Sequence, residues 1–267
     1  MIGAIAGDII GSIYEFDNIK TTDFPLFNPR CQFTDDTVHT VALADSILSG
    51  VDYTSKLKEY YEFYPNASYG GMFRRWAASN DTQPYNSFGN GSAMRVSPAA
   101  YAFDTWEEVL KQAEISASVT HNHPEGIKGA QATAAVIFLA RQGKGKGEIK
   151  KYVETEFGYD LSEPIDSIRE HYYFNETCQE TVPQAVTAFL ESESYEDSIR
   201  KVISIGGDSD TLACITGGIA QAFYGGVPKD ITDKVLELLD DRLRGITIKF
   251  MDRFCPDWEG VVIPIWI

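Results

Sequence analysis

The sequence predicts a mainly α-helical, single-domain protein over residues 1–267. Three observations carry that prediction. Stretch after stretch spaces its apolar residues at the helical period, with a capping residue or a proline near its start. Alternating patterns are scarce, and only residues 246–250 and 261–267 hint at extended chain. No β-α alternation, linker or internal repeat intervenes, so about nine or ten helices packed on one another are expected.

In chain order, residues 1–15 read as a helix with Gly3, Gly7 and Gly11 on one face, a spacing that suits close helix–helix packing. Glu15 ends it, ahead of a loop holding Thr21, Thr22, Pro25, Asn28 and Pro29. A second helix is expected over 38–48, where Val38, Val41, Ala42, Ala44 and Leu48 fit the period and Asp45 is the exception. Thr54 is the expected N-cap of a helix through 64, whose tyrosines suit half-buried packing. Residues 65–91 form a long, turn-rich stretch with a short helix near 72–79. Its glycines and aromatics suit an ordered binding loop, which Asp81 also occupies.

A regular amphipathic helix over 106–118 is broken by Thr120-His121-Asn122-His123-Pro124, and an Ala-rich helix follows over 127–141. Residues 142–147 are a solvated loop. Helical spacing returns at 148–157, 182–191, 195–205 and 230–244, and an apolar helix is expected over 212–224.

Composition narrows the function. The chain is 43% hydrophobic and can bury a substantial core. A net charge of −16 disfavours nonspecific binding to nucleic acid or an anionic membrane. The four cysteines are far apart with no C-x-x-C, so reduced thiols in a cytoplasm are expected. The N-terminus lacks a basic region and carries Asp8, unlike a signal peptide, and no run of about 18 apolar residues predicts a membrane span.

The chemistry concentrates in two short clusters. Gly206-Gly207-Asp208-Ser209-Asp210-Thr211 is a polar turn entering an apolar helix. One acid would serve as a cap there, but two a residue apart repel unless something positive lies between them. Thr34-Asp35-Asp36 repeats that content at the start of another helix. If the clusters meet, their four carboxylates need cations, and all-oxygen ligands select Mg²⁺ or Mn²⁺ over zinc. Two such ions orient a substrate and activate a water. His121-x-His123 joins two helices, so a ligand hydrogen bond from one histidine is favoured over metal ligation.

The set GDIIGSIYE, FTDDT, GNGSAMR, THNH and GGDSDT, in this order along nearly the whole chain, resembles the ADP-ribosylglycohydrolase family, which includes the dinitrogenase-reductase-activating glycohydrolases. The resemblance implies an all-α orthogonal helical bundle with a binuclear Mg²⁺ or Mn²⁺ centre in a cleft. It implies Thr34, Asp35, Asp36, Asp208, Asp210 and Thr211 as metal ligands, and Glu15 as a glutamate near the metals. Ser87, Phe88, Gly89 and Asn90 lie where relatives hold the diphosphate and distal ribose; some relatives carry Tyr at the Phe88 position, so a hydroxyl contact is absent here. Gly70 and Gly71 match a glycine loop that touches the ligand, and His121 a histidine that contacts ADP-ribose.

The implied reaction is hydrolysis of the glycosidic bond between ADP-ribose and an acceptor, with N-linked arginine on proteins favoured by analogy. Cleavage at the anomeric carbon builds oxocarbenium character, which nearby carboxylates offset. Asp35 or Asp36 is the acid/base candidate and Glu15 the alternative. Two other readings stand beside it: an ADP-ribose-binding module without turnover, and a hydrolase of another ADP-ribose conjugate or a phosphoester. None of the four carboxylates is lost, as it would be in an inactive relative.

Overall fold

The chain is described by a computed structural model over residues 1–255 and at Trp258. Its first part comprises α1 (Ile2–Gly11), α2 (Asp35–Ser49), α3 (Tyr53–Phe63), α4 (Gly71–Ala77), α5 (Gly91–Met94) and α6 (Ser97–Ala102). The middle comprises α7 (Trp106–Ser118), α8 (Pro124–Arg141), α9 (Lys146–Tyr152), a π-helical turn at Val153–Phe157 and α10 (Ile165–His171). Then come α11 (Cys178–Leu190), α12 (Tyr195–Ile203), α13 (Ser209–Tyr224), α14 (Lys229–Leu238) and α15 (Asp241–Phe254). The one β pairing among the described residues is an isolated antiparallel bridge between Gly89 and Thr177. No helix of the described residues is long and apolar enough to cross a membrane.

Helix α13 lies at the centre. Every residue from Ser209 to Gln221 is buried, as an all-round apolar and small helix must be. It packs against α1, α8, α11 and α12. The contact with α1 is backbone to backbone. A Cβ added at Gly3 would fall 2.4 Å from the Gly217 carbonyl oxygen, one at Gly7 1.9 Å from that of Ala213, and one at Gly11 2.5 Å from that of Ser209. As α1 advances by four residues, its partner on α13 recedes by four or so, so the two helices are antiparallel. The C-terminal end of α1 therefore meets the N-terminal end of α13. The glycine stripe thus decides which side chains can share a site.

Several sequence expectations need correction. Residues 246–250 are not extended but lie inside α15, because Leu243, Thr247, Phe250 and Met251 form one buried face at helical spacing. The helix expected over 230–244 is two: Leu239 is extended, and Asp240 starts α15 by accepting from the N–H groups of Arg242 and Leu243. Asp52, not Thr54, caps α3, accepting from Ser55 N at 2.9 Å. The first helix stops at Gly11 and leaves Glu15 in the turns beyond it. Short helices α5, α6 and α10 were not expected. Residues 261–267 lie outside the described residues. Asp45, the exception on α2, is paired with Lys56 Nζ at 2.9 Å and receives Tyr60 Oη at 3.2 Å.

Candidate metal centre

The acids of the site come from three helix ends. Asp8, near the end of α1, is fully buried. It accepts from Thr34 N at 3.0 Å, Thr34 Oγ1 at 2.7 Å, Thr37 N at 3.0 Å and the Thr37 hydroxyl. It thereby satisfies orphan N–H groups at the start of α2, a helix it does not belong to. Thr34 is the N-cap residue itself, and its Oγ1 accepts from Asp36 N at 3.3 Å. With the cap supplied by Asp8 and Thr34, the Asp35 and Asp36 carboxylates are free for other work.

Asp36 is buried, and its Oδ2 accepts from Thr211 Oγ1 at 3.2 Å, while Oδ1 is buried with no partner among the described residues. Asp208 occupies the N-cap position of α13 but makes no side-chain cap bond. The cap that one acid would supply at this helix start is therefore not made by Asp208. Its Oδ2 accepts instead from Asn90 Nδ2 at 2.7 Å. Asp210 Oδ1 accepts from Thr211 N at 2.9 Å. Single carboxylate oxygens of Asp8, Asp36 and Asp210 lie within 4.8 Å of one another, and so do those of Glu15, Asp208 and Asp210. Asp35 is half-buried, with Oδ2 4.0 Å from His39 Nδ1.

The turn that presents Asp208 is pinned from the loop after α1. Gly206 and Gly207 have φ of +72° and +79°, a region that excludes most side chains. Asn18 receives Gly207 N at 2.8 Å and donates to Gly207 O at 2.9 Å. Lys20 Nζ donates to the carbonyls of Ile205 at 2.5 Å and Tyr172 at 2.6 Å.

Electrostatics follow from the crowding. Burial, then the charge of Asp210, raises Asp35 and Asp36 well above the usual carboxylate range. Burial, then Asp208, does the same for Asp210. Burial also raises Asp208 to about 6, and burial with repulsion from Asp210 raises Glu15 to about 8. Asp8 is raised by burial against the pull of its hydrogen bonds. Carboxylates and threonine hydroxyls form a hard, all-oxygen donor set, and Asp36 Oδ1 is an orphaned acceptor inside it. That set fits a divalent cation of the Mg²⁺ type and suits no soft metal.

Of the expected substrate residues Ser87–Asn90, Asn90 touches these acids. Asn90 is buried and bridges Asp208 and Thr181. Ser87 Oγ accepts from Gly89 N at 3.1 Å, and Ser87 N donates to Thr120 O at 3.3 Å. Asn90 N donates to Glu176 O at 2.7 Å. Phe88 is exposed, its ring 5.2 Å from that of His123. His121 is buried against the same loop: a Cβ on Gly91 would fall 3.1 Å from its Nε2. Gly70 and Gly71 are exposed at the start of α4, and a Cβ added at either would meet none of the acids within 4 Å. Their link is indirect, through Tyr69, whose ring lies 5.2 Å from His39. Asp81 is exposed and turned into its own loop, accepting from Gln83 N. Neither His121 nor His123 joins the acidic groups. Asp8 was missed as a site residue. The available signal was a carboxylate inside an otherwise apolar helix, which is rare unless it is paired or hydrogen-bonded.

The ADP-ribosylglycohydrolase family model matches residues 1–259. The ADP-ribosylhydrolase ARH3 of Mus musculus is 26% identical over 307 aligned positions, covering 84% of this chain and 82% of that protein. The ADP-ribosylarginine hydrolase Tri1 of Pseudomonas putida is 25% identical, covering 88% of this chain and 72% of its own. A solved structure described as an ADP-ribosylglycohydrolase-related protein complex shares the fold, with a TM-score of 0.68 at 23% identity over 94% of this chain and 96% of that one. A family match over nearly all of the sequence, together with a helical fold that gathers the acids of both motif clusters, places this chain in the ADP-ribosylglycohydrolase family.

Proposed function

We propose that this chain hydrolyses the glycosidic bond between ADP-ribose and an acceptor, working as one domain over residues 1–267 in a cytoplasmic setting. The observation that carries the reading is the meeting of two acidic helix starts with the Ser87–Asn90 loop, joined by the 2.7 Å bond from Asn90 to Asp208. N-linked arginine on proteins is the first acceptor to test, supported by the similarity to the Pseudomonas putida ADP-ribosylarginine hydrolase Tri1.

Thr34, Asp35, Asp36, Asp208, Asp210 and Thr211 would hold two Mg²⁺ or Mn²⁺ ions, and Asp36 Oδ1 is free to do so. Bound there, such ions supply the missing counter-charge, hold a ribose diol and acidify a water. Ser87, Phe88, Gly89 and Asn90, with Gly70, Gly71 and His121, would bind and orient the ligand. Holding the anomeric carbon beside fixed carboxylates stabilises positive charge as it develops. Of the acid/base candidates, Asp35 and Glu15 are half-buried and accessible to a water, whereas Asp36 is buried. Asp36 is therefore better suited to holding a cation, and proton transfer falls to Asp35 or Glu15.

The test follows free ADP-ribose released from an ADP-ribosylated arginine peptide with Mg²⁺ or Mn²⁺. Release is expected to stop with EDTA and with Asp210→Asn. Release that survives both treatments would overturn the cation-dependent reading. An inert peptide would shift the acceptor, and serine-linked, nucleobase-linked and O-acetyl ADP-ribose are the next substrates.

A further inference from the structure

Arg95, directly after α5, is fully buried. Its Nη2 donates to Ser116 O and to Thr120 Oγ1, each at 2.8 Å. Thr120 Oγ1 in turn lies 2.7 Å from His121 Nδ1. The other ring nitrogen, Nε2, faces the glycine loop: a Cβ on Gly91 would fall 3.1 Å from it and one on Gly89 3.6 Å. One buried cation, one hydroxyl and one imidazole thus form a chain that ends at the substrate loop.

The chemistry of the chain has a direction. A guanidinium only donates, so the Thr120 oxygen must accept from Arg95. A hydroxyl has one proton and two acceptor sites. Among the hydrogen bonds of the described residues, His121 Nδ1 is the one acceptor within reach of the Thr120 proton. The Thr120 proton then points at His121 Nδ1, which must accept, and the ring's own proton sits on Nε2. Burial and the charge of Arg95 push His121 well below its ordinary range, so the ring is neutral and its single proton has one place to be.

We propose that Arg95 is a positioning residue that acts through Thr120 to hold His121 as its Nε2–H tautomer, so that a donor faces the acceptor-only oxygens of a diphosphate ligand. The inference rests on the ADP-ribose reading of the site. A ring with the opposite tautomer would turn a lone pair toward phosphate oxygens and repel them.

Long-range ¹H–¹⁵N spectra of histidine-labelled protein, with His121 assigned through His121→Gln, report the tautomer without any ligand. Wild type is expected to show a protonated Nε2 and a bare Nδ1. Thr120→Val removes the hydroxyl at nearly constant volume. It should lose that preference and bind ADP-ribose about tenfold more weakly by calorimetry, while Thr120→Ser keeps both. Arg95→Met should resemble Thr120→Val, and the double variant should lose nothing further. If Arg95→Met does not fold, Arg95→Lys, which lacks the fork, takes its place with the same expected direction. A protonated Nδ1 in wild type, or a Thr120→Val variant with unchanged tautomer and affinity, would overturn the proposal. Wild type that fails to bind ADP-ribose would refute the ligand reading, and the spectra would still decide the hydrogen-bond chain.

Discussion

Asn90 donates its side-chain amide to Asp208 Oδ2 at 2.7 Å, across 118 positions of sequence. The same nitrogen reaches Thr181 Oγ1 at 3.2 Å. The substrate loop and the acidic turn before α13 are therefore one mechanical unit. Asn90→Ala removes a hydrogen bond to a buried charged group, worth about 1.5–3 kcal/mol. Asn90→Asp goes further, because it sets a new carboxylate beside Asp208. In EDTA, Asn90→Asp is expected to melt below Asn90→Ala. With Mg²⁺ or Mn²⁺ present, the gap should narrow, since a cation offsets the added charge. Thermal melts with and without the metal measure both effects. An Asn90→Asp protein as stable as wild type in EDTA would show that Asp208 is held by something else.

The α1–α13 contact makes two glycines unequal. A Cβ at Gly7 would sit 1.9 Å from the Ala213 carbonyl oxygen and 2.3 Å from its carbon, so the helices must part. Gly7→Ala is expected to cost at least the about 1–3 kcal/mol typical of overpacking. It should also blunt stabilisation by Mg²⁺, because Asp8 and Glu15 would shift relative to Asp210. At Gly218 an added Cβ meets Ser97 Cβ at 3.4 Å, Ile137 Cδ1 at 3.5 Å and Ala4 Cβ at 3.6 Å, which are ordinary contacts. Gly218→Ala should be neutral or stabilising, since alanine is about 1 kcal/mol better than glycine in a helix. Urea titrations of the two variants decide the matter, and equal losses would refute the close-approach account.

What could be read from sequence depended on how local the signal was. Helix α7 was readable to the residue, because Thr105 caps it, with Oγ1 accepting from Glu108 N, and its apolar period is regular. The glycine stripe on α1 was readable as a packing face for the same reason. Residues 246–250 misled because Ile246, Ile248 and Phe250 alternate, while the face that is buried repeats at helical spacing from Leu243. Asp8 carried a local signal, a carboxylate inside an apolar helix, but its partners were not legible because they lie on another helix, in four bonds to Thr34 and Thr37. The joining of residues 34–36 with 208–211 is a long-range fact that local patterns do not carry. Only the family resemblance anticipated it. The same holds for Asp208, whose position says cap but whose carboxylate faces Asn90.

The raised acids give the metal-free protein a pH dependence of defined sign. Asp208 moves from 3.8 to about 6 and Glu15 from 4.5 to about 8, both chiefly through burial. Between the unfolded and folded values the native state holds protons that the unfolded chain has released. Stability in EDTA should therefore fall as pH rises through that window, from about 4 to about 8. Glu15→Gln should make that slope shallower between about 6 and about 8, where Asp208 has already titrated and the raised Asp35, Asp36 and Asp210 still contribute. A divalent cation favours the ionised forms, so its stabilising effect should grow with pH and flatten the curve. Asp36→Asn relieves repulsion in EDTA and should raise the melting temperature there, while losing most of the gain from Mg²⁺. Melting curves across the window, with and without metal, test all of these signs together. A melting temperature in EDTA that rises with pH, or a metal effect equal in wild type and Asp36→Asn, would mean that these carboxylates do not form the cation site.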